Sequence, residues 1–481
     1  MAVGKVTKSV MWSAIERFST VGIQFILNII IARILSPSDY GLIGMLTIFL
    51  SISQCLIDSG FSSALVQSKN RNDCDFGTVF IFNIIISISI YAVLYLAAPS
   101  ISRFYQQDIL VNVLRIVGLN LIISSLSNVQ KAILTINVDF KRQAFVTIPS
   151  AVISGFVGLF LAYSGFGVWS LVAQTLTNGF IQTFLFWILT AERFKIVFDI
   201  HSFKRLGGFG VKLMLSGLLH TAYTNLYGLF IGKKYNAEDL GYYSRAEQFS
   251  VFPASILTDI VTRVAFPMLC QKQDNKIELS MVYTLFIKNS CFIMFPLMVG
   301  LAVLSKPLVV LLLTEKWASI SVLLSILAFD SIFTPINRLN LLLLQAVGRS
   351  DLFLRLEIIK KTVSILILLL TISYGLIWIC VGRFIYSVLA MFVNMYYTVE
   401  IIDKSYIQQI MDWLPNFFVA LCMGGFVYIS ILMLTDVVLQ LAVGILVGII
   451  FYLILSYIFK LEARNTFLLI IKNVFAKYIC C

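Results

Sequence analysis

The stretch IARILSPSDYG, residues 31–41, returns as IGKKYNAEDLG at residues 231–241, an offset of 200. Ile31, a basic residue at 33, Asp39 and Gly41 meet Ile231, Lys233, Asp239 and Gly241 in register. The helices before them align as well, setting Glu16, Thr20 and Gln24 against Ser216, His220 and Thr224. Further along, SLSNVQKAIL (125–134) resembles TPINRLNLLL (334–343) at an offset of 209. Several matches in order, with a slowly growing offset, indicate a duplicated unit.

The composition states what is duplicated. The chain has 481 residues, 59% hydrophobic and 12% charged, with a mean hydropathy of +0.93. Soluble domains are about half apolar and about a quarter charged. Apolar runs here exceed the ~20 residues that a helix needs to cross the hydrocarbon. No alternating strands of ~10 residues occur, so a barrel is excluded. The expected fold class is therefore an all-α membrane protein.

Fourteen spans are expected, at 10–34, 40–66, 76–98, 109–136, 145–164, 167–190, 207–232, 240–269, 279–304, 317–347, 351–373, 376–399, 412–434 and 437–459. The first six and the next six form two pseudo-repeat lobes, residues 1–195 and 196–403, and an even helix count makes both copies enter the membrane from the same side. Two additional helices occupy 404–459, and a basic tail at 460–481, with Lys472 and Lys477 among apolar residues, is expected to lie along the membrane interface. With the N-terminus inside, inner connectors and tails hold eighteen Lys and Arg against six outside, which places both termini in the cytoplasm. The net charge of +12 then reflects inner loops and anionic lipid rather than nucleic acid. No cleavable leader is read at the N-terminus, since Glu16 and Arg17 interrupt the first apolar run. The eight cysteines show no CxxC spacing and are read as buried thiols.

The first span raises a physical question. A charge at a bilayer centre costs roughly 2.5–3.5 kcal/mol on insertion scales, yet SAIERFSTVGIQFILN (13–28) carries Glu16 and Arg17 together. At 100° per residue, Ser13, Arg17, Thr20, Gln24 and Asn28 fall within about 80° of each other, with Glu16 beside them. Similar stripes run along the second span (Thr47, Ser51, Gln54, Asp58, Ser62), the seventh (Ser216, His220, Thr224, Tyr227, with Asn225 beside) and the eighth (Arg245, Gln248, Ser255, Asp259, Arg263). Stripes on matching helices of two repeats are expected to face a shared, hydrated central cavity. Polar side chains in membrane helices also serve simply to hold neighbouring helices together, so each stripe has a structural alternative. Glu16 and Arg17 are as readily an ion pair as a ligand site. Within the spans twelve basic residues face six acidic ones, and Glu357 with Lys361 has the spacing of a helical ion pair. An arginine's planar fork suits phosphate, so Arg17, Arg263 and Arg338 are candidate ligands for an anionic head group.

WSAIERF (12–18), ARILSPSDYGLIGM (32–45), DSGFSSALVQ (58–67), TRVAFPMLCQKQD (262–274), TEKW (314–317) and NRLNLLLLQAVGRSD (337–351) together carry a family likeness. The chain resembles the polysaccharide-transporter (Wzx-type, O-antigen flippase) branch of the multidrug/oligosaccharidyl-lipid/polysaccharide exporter superfamily. The resemblance implies a MATE-like fourteen-helix fold of two lobes in a bacterial inner membrane. It implies a flippase that carries undecaprenyl-pyrophosphate-linked oligosaccharide (an O-antigen, capsule or exopolysaccharide repeat unit) from the inner to the outer leaflet by alternating access. Related peptidoglycan-precursor flippases use arginines on the first, second and eighth helices. Arg17 and Arg263 match two of these, whereas the second helix here offers Asp58.

Under this reading Arg17, Arg263 and Arg338 take the pyrophosphate. Glu16, Thr20, Gln24, Asn28, Gln54, His220, Asn225 and Tyr227 line the glycan path. Asp58 or Asp259 couples transport to H+ or Na+, with no cofactor and no metal. The partners expected are the lipid-linked glycan, membrane lipids and a polysaccharide polymerase. Two alternatives stand beside it. A cation-coupled small-molecule exporter would need a dominantly acidic pocket. A membrane polymerase or ligase would need a large outer loop or a clustered nucleophile and base, and no HExxH or GxxxxGK[ST] is present.

Overall fold

The computed structural model describes residues 2–58, 60–68, 71–190 and 194–465. The expected tail therefore lies outside the described residues from 466 onward, with Lys472 and Lys477. Among the described residues there is no strand. The helices are α1 (Ala2–Ile34), α2 (Pro37–Asp58), α3 (Phe61–Gln67), α4 (Asp73–Tyr105), α5 (Ile109–Val117), α6 (Leu119–Ser125), α7 (Asn128–Ile136), α8 (Phe140–Tyr163), α9 (Val168–Leu189) and α10 (Ile200–Lys234). They continue as α11 (Ala237–Gln271), α12 (Lys276–Val303), α13 (Ser305–Leu313), α14 (Ile320–Ile332), α15 (Thr334–Ala346), α16 (Ser350–Thr371), α17 (Leu376–Ile402), α18 (Tyr406–Leu432) and α19 (Val437–Ile458).

Three rods are broken: α2–α3, α5–α6–α7 and α14–α15 each fill one expected span. Among the described residues, helices fill each of the fourteen expected spans apart from these breaks. Eleven rods are long and apolar enough to cross a membrane. The other three, α9, α10 and α16, carry more polar side chains, such as Gln174, Asn178 and Gln182 on α9 and Arg355, Glu357 and Lys360 on α16.

The repeated stretch is a helix start. Ser36 caps α2: its Oγ accepts from the Asp39 N–H at 3.2 Å, and the Asp39 carboxylate accepts from the Ser36 N–H at 2.9 Å. This reciprocal pattern satisfies two otherwise orphaned donors. Two hundred residues on, the Asn236 side-chain carbonyl accepts from the Asp239 N–H at 2.7 Å. The glycines serve an approach. A β-carbon on Gly41 would overlap the Ala237 carbonyl, and one on Gly241 would overlap the Pro37 carbonyl. The two capped starts therefore cross reciprocally, each glycine against the first residue of the other helix.

The chain forms two compact units, residues Met1–Gly241 and Tyr242–Cys481. In the first, α1 packs on α8 and α8 on α9. The buried face of α8 is built of Ser150, Ala151, Ser154, Gly155 and Gly158, small residues that let helices approach where lipid supplies no hydrophobic drive. α10 packs on α2, α3 and α4, so the helix that opens the second sequence copy belongs by packing to the first unit. Its start is clamped there: Asp199 caps α10, and hydrogen bonds from Ser202 hold the Asp199 carboxyl below the usual carboxylate range. Arg205 grips the buried Asp75 of α4 at 2.5 Å. Phe61, Phe82 and Phe203 pack around this junction.

In the second unit α12 is central, packed on α14, α15 and α18, while α19 lies on α18. Phe295, Phe333, Trp413 and Phe417 interlock edge-on at its core, the preferred aromatic arrangement. The first residues of the tail are attached: Lys288 on α12 holds Glu462 at 2.7 Å, and Arg464 lies over the Tyr457 ring.

Candidate functional site

The first unit contains an open polar cavity of about 590 Å³. Ser51, Gln54, Cys55 and Asp58 of α2 line one wall, Gly60 and Ser63 the floor, and Leu213, Met214, Thr221, Thr224 and Asn225 of α10 the other wall. Asp58 is the last residue of α2, and Gly60 follows it in a left-handed conformation (φ 68°) that breaks the rod. An acid at that end opposes the helix dipole, an unfavourable placement of about 0.3–1 kcal/mol. Two amides compensate: Gln54 Nε2 donates to Asp58 Oδ1 at 3.0 Å and Asn128 Nδ2 at 3.1 Å. Ser124 Oγ donates in turn to Gln54 Oε1, and Lys131 of α7 acts on the carboxylate through space. The break between α6 and α7 is what turns Asn128 toward Asp58. On the facing wall Asn225 and Thr224 bond back to the Thr221 carbonyl, at 2.9 and 3.1 Å.

Gln54, Asp58 and Asn225 all line this cavity. Asn128, Ser124, Lys131 and Thr221 join them without having been singled out, although Asn128 and Lys131 lie in the repeated SLSNVQKAIL stretch. The remaining stripe residues are placed otherwise. Glu16 accepts a hydrogen bond from Thr147 of α8 at 3.1 Å, and Thr20 donates to the same Thr147 at 3.3 Å. These two hold α1 on α8, the structural alternative for that stripe. Arg17 is exposed beside them. Gln24 and Asn28 are half-buried, and the Asn28 backbone carbonyl accepts from the Tyr40 hydroxyl. His220 is exposed and Tyr227 half-buried on α10. In the second unit Arg263 and Asp259 on α11 and Arg338 on α15 are exposed. None of the three candidate arginines lines the cavity, whose ionisable character comes from Asp58 with Lys131 nearby.

The second unit holds a different polar centre. Arg383 of α17 donates to Glu247 and to the Tyr243 hydroxyl of α11, and pairs with Asp330 of α14 at 3.2 Å. Ser387 donates to the Asp330 carbonyl, Asn337 donates to the Ser387 carbonyl, and Asn394 donates to Asn337 Oδ1. Glu247, Asp330 and Arg383 lie far apart along the chain, and only packing joins them. Glu357 pairs with Lys360, three residues on, at 2.5 Å, and Lys360 is buried, so the pair supplies the counter-charge that burial demands. Among the described residues no three His, Cys, Asp or Glu side chains cluster to hold a metal.

Residues 30–322 match the family model described as polysaccharide biosynthesis protein. The chain belongs to that family. Among its relatives, the teichuronic acid biosynthesis protein TuaB of Bacillus subtilis (strain 168) is 27% identical over 359 residues, covering 72% of this chain and 73% of the relative. The lipopolysaccharide biosynthesis protein WzxC of Escherichia coli (strain K12) is 23% identical over 420 residues, 85% of each chain. Among solved structures, the lipid II flippase MurJ in an inward closed conformation superposes with a TM-score of 0.76 at 18% identity, over 94% of this chain and 98% of its own. The family member described here therefore shares the all-α, two-lobed membrane fold of that structure.

Proposed function

We propose that the protein is a flippase that moves a polyprenyl-pyrophosphate-linked oligosaccharide between membrane leaflets by alternating access. The observation that carries this reading is the cavity between α2 and α10. Its polar lining is hydroxyl and amide groups around one amide-held carboxylate, and such groups exchange hydrogen bonds readily with sugar hydroxyls. Membership of the polysaccharide biosynthesis family supports it, as do relatives named for teichuronic acid and lipopolysaccharide biosynthesis and a fold shared with a lipid II flippase. The protein transports rather than converts its substrate.

In this proposal Gln54, Asn225 and Thr224 contact the glycan, with Gln24, Asn28, His220 and Tyr227 along its path. Arg17, Arg263 and Arg338, exposed on their helices, take the pyrophosphate. Asp58 or Asp259 carries the coupling H+ or Na+. The lobes are residues 1–195 and 196–403, both termini are cytoplasmic, the membrane is the bacterial inner one, and a polysaccharide polymerase receives the product. A second reading is favoured by Asp58 itself: an acid facing an open cavity also suits a cationic small molecule. The test is leaflet accessibility of the lipid-linked glycan in cells whose only copy is wild type or an Arg17→Glu variant. Glycan should accumulate inside with the variant at normal abundance. Normal flipping by that variant removes Arg17 from the mechanism, and normal glycan flipping without the protein removes the flippase reading.

A further inference from the structure

A second pocket, of about 400 Å³, opens in the first unit between α4, α5 and α9, and shares no residue with the cavity described above. Tyr91 and Tyr95 of α4, Asn112, Arg115, Ile116 and Leu119 line it, with Trp169 of α9. Arg115 is the centre of the arrangement. Its guanidinium lies 4.1 Å from the centre of the Tyr95 ring, and its Nε reaches the Tyr95 carbonyl at 3.5 Å. The Tyr91 hydroxyl donates to the Arg115 carbonyl at 3.0 Å. No acid pairs with Arg115 among the described residues.

The depth of the pocket is set by helix geometry. Arg115 is six residues into α5, about 9 Å from its start, and Trp169 is the second residue of α9. Successive crossings put the end of α4 and the starts of α5 and α9 at one membrane face, opposite the start of α1. Tryptophan and tyrosine favour that interfacial level, where the body of the ring is in lipid and its polar edge is wet. The contact with the Tyr95 ring and the Nε bond to the Tyr95 carbonyl leave the terminal N–H groups of the guanidinium for a ligand. Those groups form a planar fork matched to two oxygens of one phosphate. Asn112, exposed beside it, supplies an amide for an adjoining hydroxyl.

We infer that Arg115, Tyr95 and Asn112 form a site for a phosphate ester at the membrane face opposite the N-terminus, apart from the transport cavity. A phospholipid head group and a soluble phosphate present the same chemistry, and the experiment separates them. The full-length protein is purified in detergent, loaded with phosphatidylglycerol and washed, and the retained lipid is counted by native mass spectrometry. A parallel arm measures thermal protection by millimolar inorganic phosphate. Wild type should retain the lipid, and Arg115→Gln should lower retention about tenfold, the loss expected for a charge-assisted hydrogen bond. Arg115→Lys, which keeps charge without the fork, should be intermediate. Protection by inorganic phosphate without lipid retention, lost in Arg115→Gln, assigns the same site to a soluble phosphate. Should Arg115→Gln fail to fold, Tyr95→Leu and Asn112→Ala leave the charge in place and should each weaken retention severalfold. Unchanged retention and unchanged phosphate response in a folded Arg115→Gln, or in both of the other variants, overturns the site. The readout is the resting protein, so it stands independently of the glycan reading.

Discussion

Asn128 and Asn337 occupy the same position of the duplicated sequence, each near the break in a membrane-spanning rod, yet they do opposite things. Asn128 donates to Asp58 at the edge of an open cavity. Asn337 is taken up by Ser387 and Asn394, half-buried within the second unit. The partners differ in the same sense. Gln54 and Asp58 of α2 correspond, at the offset of 200, to Ala254 and Thr258 of α11, both buried. In the second unit the charge has moved to Arg383, where two carboxylates and a tyrosine hydroxyl satisfy it. A polar group whose partners all come from the protein is structural. One left facing a cavity, with its bonding capacity partly open, is available to a ligand.

The comparison can be broken most forcefully at Arg383. Arg383→Leu leaves Glu247 and Asp330 without their counter-charge; breaking a fully buried pair costs about 3–5 kcal/mol, and the part-exposed partners here put the expected loss below that range. Thermal unfolding of the detergent-purified protein should drop sharply, and an unchanged midpoint would mean that the centre is hydrated rather than structural. The two asparagines sharpen it next. Asn337→Ala strips Asn394 of its acceptor and should cost about 1–3 kcal/mol, whereas Asn128→Ala, at the cavity edge, should cost well under that. Equal costs would erase the distinction between the units. Asp58→Asn keeps shape and should change stability by less than about 1 kcal/mol while lowering glycan accessibility at the outer leaflet. Full transport by that variant would make Asp58 a bystander. The smallest effect is expected at the exposed Lys272–Glu278 pair, 46% exposed on each side, where Lys272→Gln should stay within about 0.5 kcal/mol.

Much of this was legible along the chain. Spans follow from runs of apolar residues, because hydrocarbon thickness sets their length. The repeat at 36–41 and 236–241 was legible because capping chemistry is local: an N-cap and the residue three positions on must be polar whatever surrounds them. The glycines at 41 and 241 recur in register along the sequence, but the close approach that needs them appears only in the folded chain. Other readings needed neighbours that sequence distance hides. Glu16 sits one turn from Thr20, but both bond to Thr147, 131 and 127 residues away. That Lys360 is buried and pairs with Glu357 is set by packing, because helical spacing offers Lys360 and Lys361 alike.

Apolar length, the duplicated helix starts and the family likeness, then, are properties of the sequence by itself, because each depends on composition or on residues within a turn of one another. Which polar residues share a cavity and which are consumed in a core was decided only by tertiary structure. The two asparagines have the same local chemistry. Their roles diverge through what lies across the helix interface, a carboxylate beside open volume in one case and a chain of hydrogen bonds to Ser387 and Asn394 in the other.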